Sequence, residues 1–375
     1  MSMALDKRLI RNIDFSLIFF TLLAVAVGCV MIYSATRYND GLTGGDPFYY
    51  VNKQIIAAVL GFVVAAVAML VDYRYLGKMS KLIYFASIVF LLSVFVLGTR
   101  TKGAINWIRV GPLALQPSEF AKYGFVVALA AYLTTRDKLS SLKDLIVPFL
   151  IAVVPTGIVI LQNDLGSALV FPAVLFVMLF VAGANPKLLL SILGLGIFVA
   201  VPIAYFFFLS PYQQNRILVF FNPGMDPTGA GYNVLQSLTT IGSGGLFGKG
   251  LGNSTQARLN FLPAHHTDFI FSIVAEELGF IGAVLVLVML FAIVRRGMVI
   301  SRESKDRFGS LVAIGITAIF LVHILINVGM TMNLSPCTGI PLPFFSAGGS
   351  SLIASLLGIG ILESIYMRRQ KLIFN

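Results

Sequence analysis

Three acidic side chains stand in the stretch LPAHHTDFIFSIVAEELG, residues 262–279, where most neighbours are apolar. Asp268 comes at the start of the apolar run, and Glu276 and Glu277 follow two turns further in. An aspartate at the centre of a membrane helix costs about 2.5–3.5 kcal/mol on insertion scales, so acids in such a place usually serve a function. Asp268, Ser272 and Glu276 recur every four residues and share one helical face. We predict Asp268 at the N-terminus of this helix, where the helix dipole favours the ionised form that a base needs.

A second charged stretch is TRTKGAINWIRVGPLALQPSEFAKYG, residues 99–124. Glu119 and Lys122 are spaced i, i+3 and share a helical face, and Pro117 just before them suits a helix start. The alternative is an aromatic anchor at headgroup level, with basic side chains that extend to the interface. The charged residues of this stretch, around the only tryptophan, Trp107, are Arg100, Lys102, Arg109, Glu119 and Lys122.

A third acid, Asp164 in LQNDLGSALVF, is predicted at a turn between two helices, where its simplest interpretation is a helix cap. With Asp268 and Glu119 it places acids at the ends of three separate predicted helices. These acids, with bases among them, predict a polar cavity open to one side of the membrane. Structural ion pairs are the alternative interpretation.

Two other kinds of site match the sequence poorly. The glycine cluster GSGGLFGKG lacks a phosphate-loop pattern, because Gly250 stands where a Ser or Thr would hold magnesium; it predicts flexible turns with one exposed lysine, Lys249. His265 and His266 lie beside Asp268 but lack the HExxH spacing of a zinc site, and adjacent histidines rarely ligate together with such an acid.

Glu276 and Glu277 lie deeper in the predicted helix than Asp268. We expect both glutamates to bond to neighbouring helices rather than to touch a substrate. His323 and Asn327, spaced i, i+4 on a later helix, are their candidate partners.

The composition indicates that this chain lies in a lipid membrane. With 375 residues, 58% hydrophobic, 11% charged and a mean hydropathy of +0.91, it is predicted to be an all-α integral membrane protein of one domain, 1–375. Cys29 and Cys337 are interpreted as packing residues. Ten apolar stretches are long enough to cross a bilayer as helices: 14–34, 52–71, 80–97, 118–134, 145–162, 167–183, 187–209, 269–294, 309–333 and 351–367. The first is expected to remain as a helix, since no small-residue cleavage site follows it.

The positions of lysine and arginine predict the orientation. Most of the 27 Lys and Arg residues fall in the two tails and the even-numbered loops, which are therefore expected in the cytoplasm. This asymmetry explains the net charge of +11 through anionic lipid, without nucleic-acid binding. Between helices seven and eight, residues 210–268 form a long outer segment with amphipathic pieces such as YNVLQSLTTI, so we predict a structured lid.

These stretches, taken in order, resemble the SEDS family of shape, elongation, division and sporulation proteins, which includes RodA and FtsW. The resemblance covers nearly the whole chain. The segments that carry it are KGA with Trp107, QPSEFAK, QNDLGSALV, DPTGAGYNVLQS, IGSGGLFGKG, FLPAHHTDFIFSIVAEELG and GIPLPFFSAGGSS.

The resemblance implies a polytopic glycosyltransferase of the bacterial cytoplasmic membrane that polymerises lipid II, the undecaprenyl-pyrophosphate-linked disaccharide precursor of peptidoglycan, on its outer face. It implies a single-span class B penicillin-binding protein as partner, with other membrane proteins of the elongation complex. The family's essential aspartate falls on Asp268. The resemblance assigns Glu119, Lys122, Arg216 and Lys249 to the site. The full set predicted to bind substrate or pyrophosphate is Lys102, Arg109, Glu119, Lys122, Arg216, Lys249 and Gln256.

The implied chemistry is an inverting sugar transfer. Asp268 would take the proton of the GlcNAc 4-hydroxyl of the acceptor, which then attacks C1 of MurNAc. Positive groups would stabilise the departing pyrophosphate. A divalent cation, Mg²⁺ or Mn²⁺, is expected on Asp164 or Glu119.

Two positions depart from the family pattern: Asn106 stands where an arginine is common, and Ala347 where a tyrosine is common. No pyrophosphate contact is therefore assigned to either position. The short N-terminal tail looks more like the elongation branch than the division branch.

The rival functions are a lipid II flippase and a scaffold. A transporter needs polar residues on both sides of the membrane midplane, whereas the acids here cluster at one side.

Overall fold

The structure, a computed structural model, describes residues 12–38, 43–101, 104–110, 113–136, 139–207 and 209–369. Apolar runs without interior turn residues form long helices, because a chain in hydrocarbon must satisfy its backbone groups internally. The helices are α1 (Phe15–Thr36), α2 (Tyr49–Leu70), α3 (Tyr73–Lys78), α4 (Ser80–Leu97), α5 (Pro117–Thr134), α6 (Leu142–Leu161), α7 (Leu165–Val181), α8 (Pro186–Leu195), α9 (Val201–Phe207), α10 (Pro211–Phe221), α11 (Ala230–Ser243), α12 (Thr255–Arg258), α13 (Ile270–Glu303), α14 (Arg307–Thr331) and α15 (Gly349–Met367).

Eight spans in the described part of the chain are long and apolar enough to cross a membrane, with α8 and α9 joined into one by the π-helical turn Gly196–Ala200. Two further helices, α5 and the shorter apolar α7, lie where the sequence predicts spans. The membrane character is thus confirmed, and the number ten stays a prediction.

A small antiparallel sheet interrupts the helical fold between α4 and α5, so the all-α prediction is wrong at this point. Its strands are β1 (Thr99–Thr101), β2 (Ala104–Val110) and β3 (Leu113–Leu115), in the order β1-β2-β3. The segment AINWIRV is rich in β-branched and aromatic residues and has a glycine on each side in the sequence, which favours a strand. Ile105 N–H donates to the carbonyl of Gln162 across 3.1 Å, which holds the sheet against the end of α6.

The predicted lid, residues 210–268, contains helices joined by tight turns. Ser210 and Gln213 form a reciprocal cap at the start of α10. Asp226 accepts hydrogen bonds from the backbone N–H groups of Gly229 and Ala230, at 2.9 Å each, just before α11. The amphipathic piece YNVLQSLTTI lies within α11, as predicted.

Small residues let the helices approach closely. A Cβ on Gly360 of α15 would lie 2.4 Å from the carbonyl oxygen of Ala65 on α2, and one on Gly61 would lie 2.5 Å from Leu356 Cδ1. Without a hydrophobic drive between helices in lipid, such close backbone contact supplies much of the packing energy. At the opposite end of the bundle from Asp268, the Asp14 carboxylate pairs with Arg296 at 2.5 Å and ties α1 to α13.

Candidate active site

Asp268 lies two residues before the start of α13, at the end of the lid segment, and its side chain is partly exposed. Its backbone carbonyl accepts a hydrogen bond of 2.9 Å from the Asn327 side-chain amide. The same amide donates to the carbonyl of Ile340 across 2.7 Å. One buried side chain on α14 thereby sets the position of Asp268 relative to the loop between α14 and α15.

Arg216 reaches the same place from α10. A Cβ built on Gly339 would lie 3.5 Å from Asp268 Oδ2 and 4.0 Å from Arg216 Nη1. Gly339 has φ +76°, a conformation that suits glycine. Because Gly339 has no side chain, the carboxylate and the guanidinium border one small space. The Arg216 guanidinium is oriented by Tyr212, which accepts a hydrogen bond of 2.5 Å from Nη2.

The α14–α15 loop, residues 332–348, is held against the Asp268 segment by further hydrogen bonds. Ser346 Oγ donates to the carbonyl of Thr267 across 2.6 Å, and the Ala347 N–H donates to the carbonyl of His266 across 2.9 Å. Gln54 of α2, itself buried, donates to the carbonyl of Ser346. Asp268 therefore rests on a braced loop rather than on a mobile turn.

Glu119 and Lys122 form a buried ion pair of 2.7 Å on α5, as their i, i+3 spacing predicts. The Lys122 side chain is only 1% exposed. Its Nζ also donates to Nε2 of His323 at 2.8 Å, and the His323 ring bonds to the backbone of Pro341. Since proline has no N–H, the ring must donate to the carbonyl. This chain of contacts connects α5 to the loop beside Asp268.

Asp164 caps α7, as predicted: its Oδ1 accepts from the Ser167 N–H at 3.0 Å. Its Oδ2 accepts from the side-chain amides of Asn106, at 3.1 Å, and Gln116, at 2.9 Å. Asn106, one of the two departures from the family pattern, thus fixes the sheet to the α7 terminus. Next to this cap, a Cβ on Gly166 would lie 2.8 Å from the carbonyl oxygen of Thr338, so the α7 terminus contacts the α14–α15 loop.

The helix α13 is broken at Gly279, where φ is +70° and ψ is −172°. The break leaves backbone groups that the glycine cluster, residues 242–250, satisfies. Lys249 N–H and Gly250 N–H donate to the carbonyls of Glu276 and Glu277 at 3.0 Å each, and the Phe280 N–H donates to the carbonyl of Gly245 at 2.9 Å. The predicted turns are present, and their glycines also permit this backbone-to-backbone contact; Lys249, predicted to be exposed, is only 30% exposed.

The predicted partners of the two glutamates are also wrong. Glu276 accepts from Lys249 Nζ at 2.6 Å, from the Thr255 hydroxyl at 2.9 Å and from the Ser254 hydroxyl. Glu277 accepts from the Ser34 hydroxyl of α1 at 2.6 Å. Glu277 thus bonds to a neighbouring helix, α1, as expected, and Glu276 bonds to the lid segment; neither meets His323 or Asn327.

The remaining predicted site residues are spread more widely. Arg109 is exposed on β2 and pairs in register with Ala114. Gln256 lies on α12, with a buried Oε1 that has no hydrogen-bond partner. Lys249 is 30% exposed and is held by Glu276 and Thr255. Lys102 lies outside the described residues.

Within the described residues no three His, Cys, Asp or Glu side chains lie together as a metal-binding group. Glu119 is engaged by Lys122, and Asp164 by three hydrogen-bond donors. Neither Cys29 nor Cys337 forms a disulfide.

His265 is a structural member of this region. Its ring nitrogens lie 2.7 Å from the carbonyl oxygen of Leu262 and 3.0 Å from that of Ala35, so it ties the lid segment to the end of α1. Burial lowers the pKa of His265 against the opposing effect of these two hydrogen bonds.

Three positioning residues were missed from the sequence: Gln54 and Ser346 altogether, and Asn327 in its true role. Each is polar and buried in an apolar setting. Polar side chains inside membrane helices are rare and usually paired, so Gln54 and Asn327 carried a usable signal. Their partners are backbone carbonyls of a distant loop, which no spacing rule identifies.

Comparisons with known proteins agree with this architecture. The model of the cell cycle protein family FtsW/RodA/SpoVE matches residues 15–371. The chain is 38% identical over 357 residues to a probable peptidoglycan glycosyltransferase FtsW of Trichlorobacter lovleyi, covering 94% of this chain and 92% of that protein. It is 32% identical over 362 residues to the peptidoglycan glycosyltransferase MrdB of Escherichia coli K12, covering 96% and 95%.

The chain is also similar in fold to a solved structure. That structure concerns the structural coordination of polymerization and crosslinking by a peptidoglycan synthase complex, and one of its chains aligns with a TM-score of 0.81 and 32% identity, covering 95% of this chain and 98% of that one. A membrane-embedded helical bundle with a braced acidic site is the class that fold and site define. The chain belongs to the FtsW/RodA/SpoVE family, the SEDS family of the sequence argument.

Proposed function

We propose that this protein polymerises lipid II into β-1,4-linked glycan strands, with Asp268 as the general base. Its enzyme class, peptidoglycan glycosyltransferase, follows from the family and from the names of its relatives. The observation that supports the chemistry is the convergence of the Asp268 carboxylate and the Arg216 guanidinium beside Gly339.

This convergence suits an inverting transfer. A sugar hydroxyl is a poor nucleophile until a base removes its proton. Asp268 takes the proton of the GlcNAc 4-hydroxyl as its oxygen attacks C1 of MurNAc, and the lipid pyrophosphate leaves with the bonding electrons. Arg216, with its guanidinium next to that carboxylate, is suited to stabilise the negative charge that builds on the leaving group.

The other predicted site residues differ in how exposed they are, and we assign their roles accordingly. Arg109 is exposed and Lys249 is partly exposed, so both can meet a lipid-linked substrate, and Gln256 keeps its expected role as a substrate contact. Lys122 is buried between Glu119 and His323, and we assign it to support of the site from below. Lys102 keeps its expected role as a substrate contact.

A divalent cation belongs to the proposal only as an ion shared with the substrate. Asp164 and Glu119 are held by separate partners and do not supply a joint set of ligands. Magnesium commonly takes one carboxylate together with substrate phosphate oxygens. Asp164, partly exposed, is the residue that would supply this carboxylate.

The cellular setting completes the proposal. The distribution of lysine and arginine supports an extracytoplasmic site with both termini in the cytoplasm. The similarity to a chain of a peptidoglycan synthase complex supports a class B penicillin-binding protein as partner. We propose a role in cell elongation; the similarity to both FtsW and MrdB is compatible with either branch of the family.

The test is polymerisation of purified lipid II in proteoliposomes with the partner present. Asp268→Asn should reduce glycan product by at least about a hundredfold, in the range of a lost general base. Asp46→Asn, which removes an exposed carboxylate outside the site, is the matched control and should polymerise normally.

Substantial glycan synthesis by Asp268→Asn would remove this residue from the role of base. Transfer of the lipid headgroup across the bilayer without glycan product would indicate a transporter instead.

A further inference from the structure

A basic cavity lies at the end of α1, at the same end of the bundle as Asp268. Its lining residues are Tyr38, Thr255, Arg258 and Leu259, and its volume is about 380 Å³. It is separate from the space beside Gly339, because neither Asp268 nor Arg216 lines it. The proposed sugar transfer does not use Tyr38 or Arg258.

Two guanidinium groups stack near the ring of Tyr38. The Arg37 guanidinium carbon lies 4.4 Å from the ring centroid, and that of Arg258 lies 5.0 Å from it. These distances are within the range of cation–π attraction, which orients both groups on one aromatic platform. A third cation is close, because Lys249 Nζ lies 3.0 Å from the Thr255 hydroxyl that lines the cavity.

Arg37 is held in place by the lid segment. Its Nη2 donates to the carbonyl of Gly252 across 3.2 Å, and a Cβ on Gly252 would lie 1.7 Å from that nitrogen. Gly252, with φ +75°, therefore leaves the room that the guanidinium fills. The Nε of Arg37 is buried without a hydrogen-bond partner. Arg37 does not itself line the cavity, but its guanidinium is held beside Tyr38, which does.

The positive charge around the cavity favours an anionic ligand. The described lining residues include no carboxylate, and the nearest acid bonded to them, Glu276, is buried and already holds Lys249. Asp40, two residues after Tyr38 in the chain, lies outside the described residues. A cation would be repelled, and a neutral sugar would leave the guanidinium charges unmet. Arginine forks match the oxygens of a phosphate group, and lipid phosphates lie at the level where membrane helices end.

We propose that the cavity lined by Tyr38 and Arg258, with Arg37 held beside it, binds a phosphate group, either the phosphodiester of an anionic phospholipid headgroup or a free phosphate anion. Lys249 beside the cavity also belongs to the proposed glycosyl transfer, whereas Arg37, Tyr38 and Arg258 have no part in it. The cavity is thus a second anion site on the same face of the protein.

The experiment uses the full-length protein in nanodiscs, with phosphatidylglycerol in phosphatidylcholine as one probe and inorganic pyrophosphate as the other. Native mass spectrometry measures retained phosphatidylglycerol, and calorimetry measures pyrophosphate binding. Arg258→Gln should weaken binding of the retained probe about tenfold, as expected for the loss of one charge-assisted contact. Lys53→Gln is the matched control, because it also removes an exposed cation that stacks on a tyrosine.

Retention of phosphatidylglycerol alone identifies a lipid site, and binding of pyrophosphate identifies a site for free anions. Equal effects of Arg258→Gln and Lys53→Gln, or no binding of either probe, would overturn the proposal. Because the Arg258 side chain is exposed, Arg258→Gln should fold normally, and its elution volume and helical circular dichroism are to be compared with those of the native protein. Arg258→Lys should restore part of the binding, since lysine returns the positive charge without the guanidinium fork.

Discussion

The side-chain amide of Asn327 donates a 2.9 Å hydrogen bond to the backbone carbonyl of Asp268. Its second bond, to Ile340, makes this one residue the link between α14, the α14–α15 loop and the start of α13. The two hydrogen bonds of Asn327 thus hold the backbone of Asp268, the proposed base, in position.

Replacement of Asn327 by leucine should lower kcat much more than it raises KM. The variant loses both hydrogen bonds, and a displacement of about 1 Å at a catalytic group costs about a hundredfold in rate. Steady-state polymerisation kinetics of Asn327→Leu, compared with its melting temperature, measure the effect. A stability loss with unchanged kcat would show that Asn327 serves folding only.

The buried pair Glu119–Lys122 should couple strongly in a double-mutant cycle. Lys122→Met leaves the Glu119 carboxylate buried without its main partner, which costs about 3–5 kcal/mol of stability. The double variant Glu119→Gln/Lys122→Met should recover part of this loss. Thermal or denaturant unfolding in detergent measures it.

The exposed pair Arg74–Asp72 serves as control for this cycle, since the Arg74 side chain is 53% exposed. Its loss through Arg74→Gln should cost less than about 1 kcal/mol. Equal coupling in the two pairs would contradict the assignment of Lys122 to a buried support.

Lys249→Met should loosen the lid around residues 244–260. The buried Glu276 carboxylate then lacks its cation, so the segment that it holds opens more often. Limited proteolysis should cut this segment faster than in the native protein. Glu276→Gln added to Lys249→Met should slow the cleavage again, because a neutral amide tolerates the site; faster cleavage in the double variant would refute the explanation.

Gly279→Ala should destabilise the break in α13. A Cβ there would lie 2.3 Å from the Gly248 nitrogen and 2.5 Å from the Leu246 carbonyl oxygen, and the backbone conformation alone costs about 1–3 kcal/mol for a non-glycine residue. Gly242→Ala on α11, where nothing lies within 4 Å, is the matched control and should not lower the melting temperature. Equal tolerance of both alanines would mean that the break is not required.

His265 should make stability fall below neutral pH. Its pKa in the folded protein is lowered from 6.5, mainly by burial, so the unfolded chain binds its proton more readily. The stabilising contribution is fully present above about pH 6.5 and is lost as pH falls toward the lowered value. Melting temperatures of the native protein and His265→Gln at pH 7.5 and 5.5 test this: the native protein should lose more on acidification, and parallel losses would exclude His265 as the cause.

Much of the architecture could be predicted because lipid imposes simple rules on sequence. Helix α5 begins at Pro117, Glu119 meets Lys122 on one face, and Asp164 caps α7, as local spacing indicates. These features depend on residues within four positions of each other. The sheet Thr99–Leu115 was missed because a short strand signal is weak beside long apolar helices.

The amino-acid sequence by itself determined the membrane class and the positions of the long helices, and it supplied the proposal that Asp268 is the base. Only the tertiary structure decided that Arg216 faces Asp268 across Gly339, that Asn327 holds Asp268 in place, and that Glu276 turns to Lys249. The physical reason is range: hydropathy and capping act within one or two turns, whereas these contacts join residues from separate helices. The space that Asp268 and Arg216 share depends on Gly339, a loop glycine whose effect appears only when the backbone segments meet.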